Sequence, residues 1–317
     1  MKLRSIQVLR GVAASGVVVL HATIADPSMS PARIGGFGVD LFFVISGFIM
    51  ATIGSRQSPA RFITDRAWRI LPMYWIASLP FLIMRWPGLL PALASLALWP
   101  VYGGTFHYPA LGVGWTLGYE MLFYLAFAIA LTGRLWMPLA LFGACAAGLA
   151  FSPHNAVLEY LGSGLIAEFL LGVLIARLPR NAWLALPLAL LALLWLSLAP
   201  TDYEILSFGR LTWVRFVLWG LPAALIVYAA LSAERMFKHR AFNVAVIVGD
   251  ASYSIYLFHP LVTRAGNWVV LTIVSLMIGI AAWWLIERRI LAIRADLRRL
   301  RQGRAPPESK PAPAAGM

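Results

Sequence analysis

Residues 6–24 read IQVLRGVAASGVVVLHATI, and this stretch decides the class of protein. Its only ionisable residues are Arg10 and His21. At about 1.5 Å per residue, a helix of this length covers nearly the ~30 Å hydrocarbon core of a bilayer. Residues 1–4 give the basic start of a signal peptide, but no small-residue cleavage site of the usual form follows. We therefore expect an uncleaved first membrane span.

Similar apolar runs recur along the chain. Of 317 residues, 61% are hydrophobic and 12% are charged, whereas soluble domains carry about 25% charged residues. Residues 89–102 are short for a crossing and contain Pro91 and Pro100, which indicates a re-entrant or interfacial helix. The sequence predicts an all-α integral membrane protein with about ten transmembrane helices, at residues 6–24, 36–54, 70–86, 112–132, 135–151, 161–177, 183–199, 212–232, 244–260 and 268–286.

The net charge of +13 indicates orientation in the membrane. Basic residues lie in short loops and at the C-terminus, as the positive-inside rule requires, and not on a folded basic face, so nucleic acid is not an expected partner. With eleven crossings, the basic loops of the two halves of the chain would lie on opposite sides of the membrane, against the positive-inside rule. We predict a multi-pass protein of the bacterial inner membrane with both termini cytoplasmic. Its outer loops keep mainly Arg33, Arg210 and Arg264, and its cytoplasmic segments contain Lys2, Arg4, Arg56, Arg61, Arg66, Arg69, Arg134, Arg177, Arg180, Arg235, Lys238, Arg240 and the tail.

The sequence divides into one membrane domain and a basic end. Residues 1–287 form the membrane domain, 288–304 alternate Arg with Leu and Ile as in an amphipathic cytoplasmic helix, and 305–317 form a disordered Pro/Ala-rich tail. Binding of anionic lipid and a simple cytoplasmic stop signal both fit the basic helix. The one cysteine, Cys145, lies in an apolar run and excludes a disulfide framework or thiolate metal cluster.

Ionisable residues inside a span cost roughly 2.5–3.5 kcal/mol, so each is a functional candidate. Arg10 and His21 are eleven positions apart, which places them within about 20° of one helix face and ~16 Å apart along the axis. Asp40 opens the second span on the outer side, level with His21. We expect either a His21–Asp40 contact or an N-cap role for Asp40.

Other candidates lie on later segments. Glu120 is inside the fourth predicted span and either pairs with an Arg or His or orients a catalytic base. His259 ends the ninth span on the outer side, where it either complements the helix dipole or belongs to a site. Arg66 and Arg69 precede the third span, where they either set orientation or bind phosphate.

Five segments together resemble the acyltransferase-3 family of integral-membrane acyltransferases, over about residues 7–287. Within this family the chain is most similar to exopolysaccharide O-acetyltransferases. The segments are QVLRGVAA (7–14) ending at His21, GVDLFFVISGF (38–48), RAWRILP (66–72), WTLGYE (115–120) and SYSIYLFHP (252–260).

The resemblance implies a function and roles for the motif residues. It implies acetyl-CoA as acyl-donor substrate, a carbohydrate acceptor, and polysaccharide-biosynthesis machinery as a partner in the bilayer. The implied catalytic residues are His21, Arg10, Asp40 and Glu120, with Arg66, Arg69 and Arg10 holding the donor and His259, Trp115 and Tyr256 on the acceptor side. His21 then acts as general base or as an acyl relay.

A different class of function is a secondary transporter or flippase, because intramembrane Arg, His, Asp and Glu also build proton relays. No inverted repeat supports it. A soluble-type serine acyltransferase is disfavoured because no Gly-x-Ser-x-Gly motif occurs, and no close His-x-x-x-His spacing suggests a metal, so we expect no metal cofactor.

Overall fold

The computed structural model describes residues 3–24, 27–201, 211–262 and 266–301, and is predominantly helical. The predicted tail (305–317) and the outer-loop residues Arg210 and Arg264 lie outside the described residues. The helices are α1 (Arg4–Thr23), α2 (Phe37–Ile53), α3 (Pro59–Met84), α4 (Leu89–Leu96), α5 (Trp115–Ala130), α6 (Trp136–Gly148), α7 (Ala156–Leu161), α8 (Gly164–Ile175), α9 (Ala185–Leu198), α10 (Thr212–Arg215), α11 (Leu221–Ser232), α12 (Asn243–Asp250), α13 (Ser252–Phe258), α14 (Trp268–Ala282) and α15 (Arg288–Arg301).

Shorter helical segments connect these elements. Two π-helical segments join α10 to α11 and α14 to α15, at Phe216–Gly220 and Trp283–Glu287. The 3-10 segments are Pro27–Gly36, Gly54–Arg56, Gly112–Gly114, Ala182–Leu184, Met236–Lys238, Arg240–Phe242 and His259–Leu261.

The predicted all-α membrane class is confirmed by the length and composition of these helices. Among the described residues, seven helical segments are long and apolar enough to cross a bilayer, or eight if the pair Arg240–Asp250 and Ser252–Leu261, bent by 48°, counts as one span. Two further predicted spans correspond to shorter apolar helices, Trp136–Gly148 and Ala182–Leu198. The predicted number of ten is reached only if both of these also cross.

The region predicted as one helix over residues 89–102 is different in the structure. The helix ends at Leu96, and a two-stranded antiparallel hairpin follows, β1 (Val101–Tyr102) and β2 (Thr105–Phe106). Gly103 and Gly104 form the turn with φ of 59° and 78°, as a tight hairpin requires. Pro100, which cannot donate a helical hydrogen bond, separates the helix from the hairpin.

Helix α3 begins earlier than predicted. It starts at Pro59, so Arg61, Arg66 and Arg69 lie on its first three turns and not in a loop before it. Proline is favoured in the first helical turn, and arginine is a good helix former, which explains the early start. The arginine motif therefore has fixed helical geometry.

Helices α2 and α8 pack at very short range through glycines. A Cβ on Gly47 would overlap the carbonyl oxygen of Phe169, and a Cβ on Gly172 would overlap that of Val44. Small residues allow such backbone contact between membrane helices. The contact fixes one face of α2, and the neighbouring Ser46 is directed elsewhere, because successive helical residues differ by about 100°.

We expect Gly47→Ala to destabilise the protein by about 1–3 kcal/mol, because α8 must move to admit the methyl group. Gly143→Ala on α6 is the matched control, since a Cβ there meets no atom within 4 Å. Thermal unfolding of the purified protein in detergent measures both. Equal midpoints for the two variants would contradict the close packing of α2 on α8.

Candidate active site

A cavity of about 800 Å³ lies among α1, α2, α3, α5 and α13. This volume is within the usual range for small-molecule sites, roughly 300–1,000 Å³. One part of its lining is apolar and aromatic, and includes Phe42, Phe43 and Ile49. Its charged lining is one carboxylate, Glu120, and five guanidinium groups, from Arg10, Arg56, Arg66, Arg69 and Arg180. The cavity is therefore suited to an anion that carries an apolar extension.

Arg66 and Arg69 lie three residues apart on α3, so both reach the same side of the helix. The guanidinium of Arg66 lies 5.4 Å from the ring centre of Phe62 and 5.8 Å from that of Tyr124, within cation–π range. Among the described atoms, its buried Nε has no hydrogen-bond partner. The aromatic rings thus hold the cation in place while a donor group stays available to a ligand.

Glu120 is held by hydroxyl groups. The Ser46 hydroxyl donates to its carboxylate at 3.1 Å, and the Tyr124 hydroxyl, one turn further along α5, also donates to it. Arg10 interacts electrostatically with this carboxylate and with Glu287 and Arg69. Glu120 therefore accepts hydrogen bonds from two hydroxyl groups and interacts electrostatically with Arg10, and among the described residues its hydrogen-bond partners do not include a histidine.

Two histidines meet at the end of the bundle away from the arginines of α3. The ring centres of His21 and His259 are 4.8 Å apart, with the planes inclined at 57°. His21 is half-buried and His259 is fully buried. Nδ1 of His21 lies 2.9 Å from the Val17 carbonyl oxygen. If Nδ1 carries the proton of a neutral ring and donates it to that carbonyl, Nε2 is left as a proton acceptor.

Tyr256 lies between the cavity and the histidine pair. Its side chain lines the cavity, and its ring centre is 6.0 Å from that of His259. Its hydroxyl donates to the Val113 carbonyl at 3.0 Å and lies 2.8 Å from the Thr116 hydroxyl. Neither histidine belongs to the cavity lining. Trp115, at the start of α5, packs edge-on against Tyr119 at 6.0 Å and is also outside that lining.

Both expectations for Asp40 are wrong. The N-cap position of α2 is Gly36, and the carboxylate of Asp40 forms a paired salt bridge with Arg215, at 2.9 Å from Nε and 2.7 Å from Nη2. Both side chains are at most 1% exposed. The Arg215 guanidinium also donates to the Gly36 carbonyl at 3.2 Å and lies 5.1 Å from the Trp219 ring. Asp40 is thus bound by a cation and does not contact His21.

Sequence reasoning missed several residues of this region. Arg215 is the only Asp, Glu, Lys, Arg or His in its predicted span, and Glu168, which interacts with Asp40 and Arg215, is fully buried in another. The cost of intramembrane charge was a sufficient signal to single out both. Arg56 and Arg180 were counted only as orientation signals, and only the fold brings them to the cavity. Among the described residues, no group of three His, Cys, Asp or Glu side chains converges as a metal site would require.

Comparison with known proteins gives consistent results. A family model described as an acyltransferase domain matches residues 3–288. The exopolysaccharide production protein ExoZ of Rhizobium meliloti (strain 1021) is 37% identical, covering 91% of this chain and 98% of its own length. The putative membrane-bound transacylase BcsY of Komagataeibacter xylinus is 28% identical over 81% of this chain and 72% of its own.

A third relative, the acyltransferase MdmB of Streptomyces mycarofaciens, is 25% identical over 84% of this chain and 80% of its own length. No solved structure matches.

We expect Asp40→Leu alone to destabilise the protein by about 3–5 kcal/mol, because it removes the carboxylate that accepts paired hydrogen bonds from the buried Arg215 guanidinium and leaves only Glu168 beside that cation. The double variant Asp40→Leu/Arg215→Met should recover most of this loss, since an apolar pair can replace a buried ion pair. Thermal unfolding in detergent compares the two. A double variant as unstable as the single one would show that Asp40 acts through something other than Arg215.

Proposed function

The chain belongs to the acyltransferase-3 family of membrane acyltransferases, and from this premise we propose that it moves an acetyl group from cytoplasmic acetyl-CoA to a carbohydrate hydroxyl. The proposed acceptor is an extracytoplasmic or lipid-linked carbohydrate; an exopolysaccharide is in keeping with the name of the relative ExoZ, an exopolysaccharide production protein. The observation that carries the proposal is the arginine-lined cavity that ends at Tyr256, beside the pair His21 and His259.

Acetyl-CoA has a polyanionic nucleotide, an extended pantetheine arm and a neutral thioester. Guanidinium groups bind phosphates through paired, charge-assisted hydrogen bonds, which suits Arg66 and Arg69 to the nucleotide. The apolar and aromatic lining beyond them suits the arm. Arg10 lies deeper in the cavity wall, on the same face of α1 as His21 and ~16 Å from it along an ideal helix, about the length of the arm.

The proposed topology has ten crossings with both termini in the cytoplasm of a bacterium. It places the arginines of α3 on the cytoplasmic side and His21, His259, Trp115 and Tyr256 towards the acceptor side. The donor then enters from the cytoplasm, and only its acetyl-bearing end approaches the outer half of the membrane.

In the reaction, Nε2 of His21 accepts the proton of the sugar hydroxyl as the oxygen attacks the thioester carbonyl. The tetrahedral intermediate collapses by breaking the C–S bond, and the histidine returns the proton to the departing thiolate. The products are the O-acetyl sugar and free CoA. General-base help of this kind contributes typically 10²–10⁴-fold to a rate. A covalent acyl-histidine relay through the same residue gives the same products.

The central test compares His21→Ala with His154→Ala, a substitution of an exposed histidine in the turn after α6. In proteoliposomes supplied with acetyl-CoA and acceptor polysaccharide, His21→Ala should slow the release of free CoA by about 10²–10⁴-fold, and His154→Ala should not. In a deletion strain, mass spectrometry should find that the wild type and His154→Ala restore the O-acetyl groups of surface polysaccharide and that His21→Ala does not.

A normal rate for His21→Ala would refute the assigned base. Transport of substrate without consumption of thioester would refute the acyltransferase reaction and support the transporter class instead.

The donor site has a separate test. We expect Arg66→Gln and Arg69→Gln each to weaken the binding of acetyl-CoA about 10- to 100-fold, because a hydrogen bond to a charged group contributes about 1.5–3 kcal/mol. Arg134→Gln, at an exposed position between α5 and α6, should bind normally. Isothermal titration calorimetry in nanodiscs measures the three constants. Unchanged affinity in the α3 variants would place the donor elsewhere.

A further inference from the structure

Asp65 holds the C-terminal basic helix against α3, one residue before Arg66. The guanidinium of Arg294 donates to the Asp65 backbone carbonyl at 2.6 Å and also binds its carboxylate. Arg298, one turn further along α15, contacts the same carboxylate. Gln57 donates to its other oxygen at 3.5 Å. A single carboxylate therefore organises two arginines of α15.

The charges in this cluster do not balance. Arg66 interacts electrostatically with Arg294, and Arg61 interacts with Arg298. Two guanidinium groups contact the Asp65 carboxylate and two more interact with these, so the four arginines exceed this one carboxylate by three positive charges. The side chains of Arg294 and Asp65 are 11% and 13% exposed and that of Arg298 is 38% exposed, so water screens the charge weakly at Arg294 and more strongly at Arg298. Such an arrangement favours an additional anion.

Contacts at the start of α15 fix its position independently of Arg294 and Arg298. Ile286 and Ile290 pack against the main hydrophobic core, and the Arg288 guanidinium lies 5.4 Å from the Trp283 ring centre. Arg294 and Arg298 are four residues apart and so lie on one face of the helix. Their cations are therefore held in place before any ligand binds, which reduces the entropy lost on binding.

The cluster adjoins the donor cavity through Arg66, which belongs to both. The cavity lining contains Arg66 and Arg69 but neither Arg294 nor Arg298. A ligand whose phosphates reach Arg66 therefore has a second concentration of positive charge immediately outside the cavity. Acetyl-CoA carries a diphosphate next to its arm and a separate phosphomonoester on the ribose. A phosphomonoester has a charge of about −1.5 to −2 at neutral pH and three acceptor oxygens.

We propose that Arg294 and Arg298 of α15, together with Arg61, form a second phosphate subsite that binds the ribose phosphomonoester of the donor. The inference rests on acetyl-CoA being the donor, as proposed above. In the free protein Asp65 holds the two α15 arginines, and the phosphate takes up the positive charge that Asp65 leaves uncompensated. The C-terminal helix is thereby part of the donor site.

The test compares acetyl-CoA with 3′-dephospho-acetyl-CoA, which lacks only the phosphomonoester. Full-length protein in zwitterionic phosphatidylcholine nanodiscs is titrated with each compound by calorimetry. The wild type should bind acetyl-CoA about tenfold or more tightly than the dephospho compound. Arg294→Gln and Arg298→Gln should lose this preference and bind the dephospho compound as the wild type does, which also shows that they are folded.

The matched control is Arg299→Gln on the same helix. Arg299 is 47% exposed and faces Asp296 at 3.7 Å, so its variant should keep the full preference. By contrast, Arg66→Gln should weaken the binding of both compounds, because the diphosphate is common to them.

Two results would overturn the subsite while leaving the proposed function intact. In one, the wild type binds both compounds equally. In the other, the α15 variants lose affinity for both compounds alike. Lipid headgroups also contain phosphate, so a third result would overturn the subsite as well. In it, native mass spectrometry in phosphatidylglycerol nanodiscs shows that Arg298→Gln loses bound lipid while its preference for acetyl-CoA is unchanged. The cluster would then bind lipid. If the wild type binds neither compound, the proposed donor itself is wrong and the subsite with it.

Discussion

Hydrocarbon does not solvate charge, and the interior of this bundle is organised by the ways in which its ionisable side chains are neutralised. Asp40 and Arg215, 175 positions apart, neutralise each other in a fully buried pair that joins α2 to the helix beginning at Thr212. Glu287 accepts a hydrogen bond of 2.6 Å from Ser254. Arg10, Arg66 and Arg69 instead line a cavity. Five guanidinium groups and one carboxylate line this cavity, and the excess of positive charge marks the place where an anionic ligand can enter.

The two faces of α2 explain why the cavity persists. Gly47 on one face brings the helix into backbone contact with α8, and the Asp40–Arg215 pair fixes the same helix near its start. Phe42 and Ser46 on the other face line the cavity, and Ser46 reaches Glu120 on α5. Because one face is held so closely, the helix cannot shift to fill the space.

The elements that hydropathy predicts are those with long apolar runs, and these are present in the structure at α1, α2, α5 and α14. The start of α3 was missed because its first turns are polar, and hydropathy does not register a polar helix outside the bilayer. The hairpin at Val101–Phe106 was missed because two-residue strands have no detectable periodicity.

For the site, helical spacing placed Arg10 and His21 on one face, but no local pattern could reveal partners far apart in sequence. The ring contact between His21 and His259 joins residues 238 positions apart, and the residues of the pair Asp40–Arg215 are 175 positions apart. A contact of Asp40 with His21 was one of two expectations because both lie at similar depth, yet depth leaves the direction of a side chain around its helix undetermined. Arg215 has greater charge complementarity than a neutral imidazole, and it takes the carboxylate.

In the proposed reaction the nucleotide and the thioester of the donor have different requirements, and the residues that meet them lie in different parts of the bundle. The nucleotide of the donor is polyanionic and cannot enter hydrocarbon without several cations, which α3 supplies in its first turns. The thioester is neutral, and the hydroxyl that attacks it needs a proton acceptor; a neutral imidazole accepts that proton and returns it to the departing thiolate, so the site has no permanent charge. Tyr256, with its hydroxyl bound to Val113 and its ring beside His259, stands at the boundary between the two environments. In the proposed reaction the acetyl group reaches the acceptor side without passage of a charged group, because only the neutral, acetyl-bearing end of the donor extends beyond the arginines.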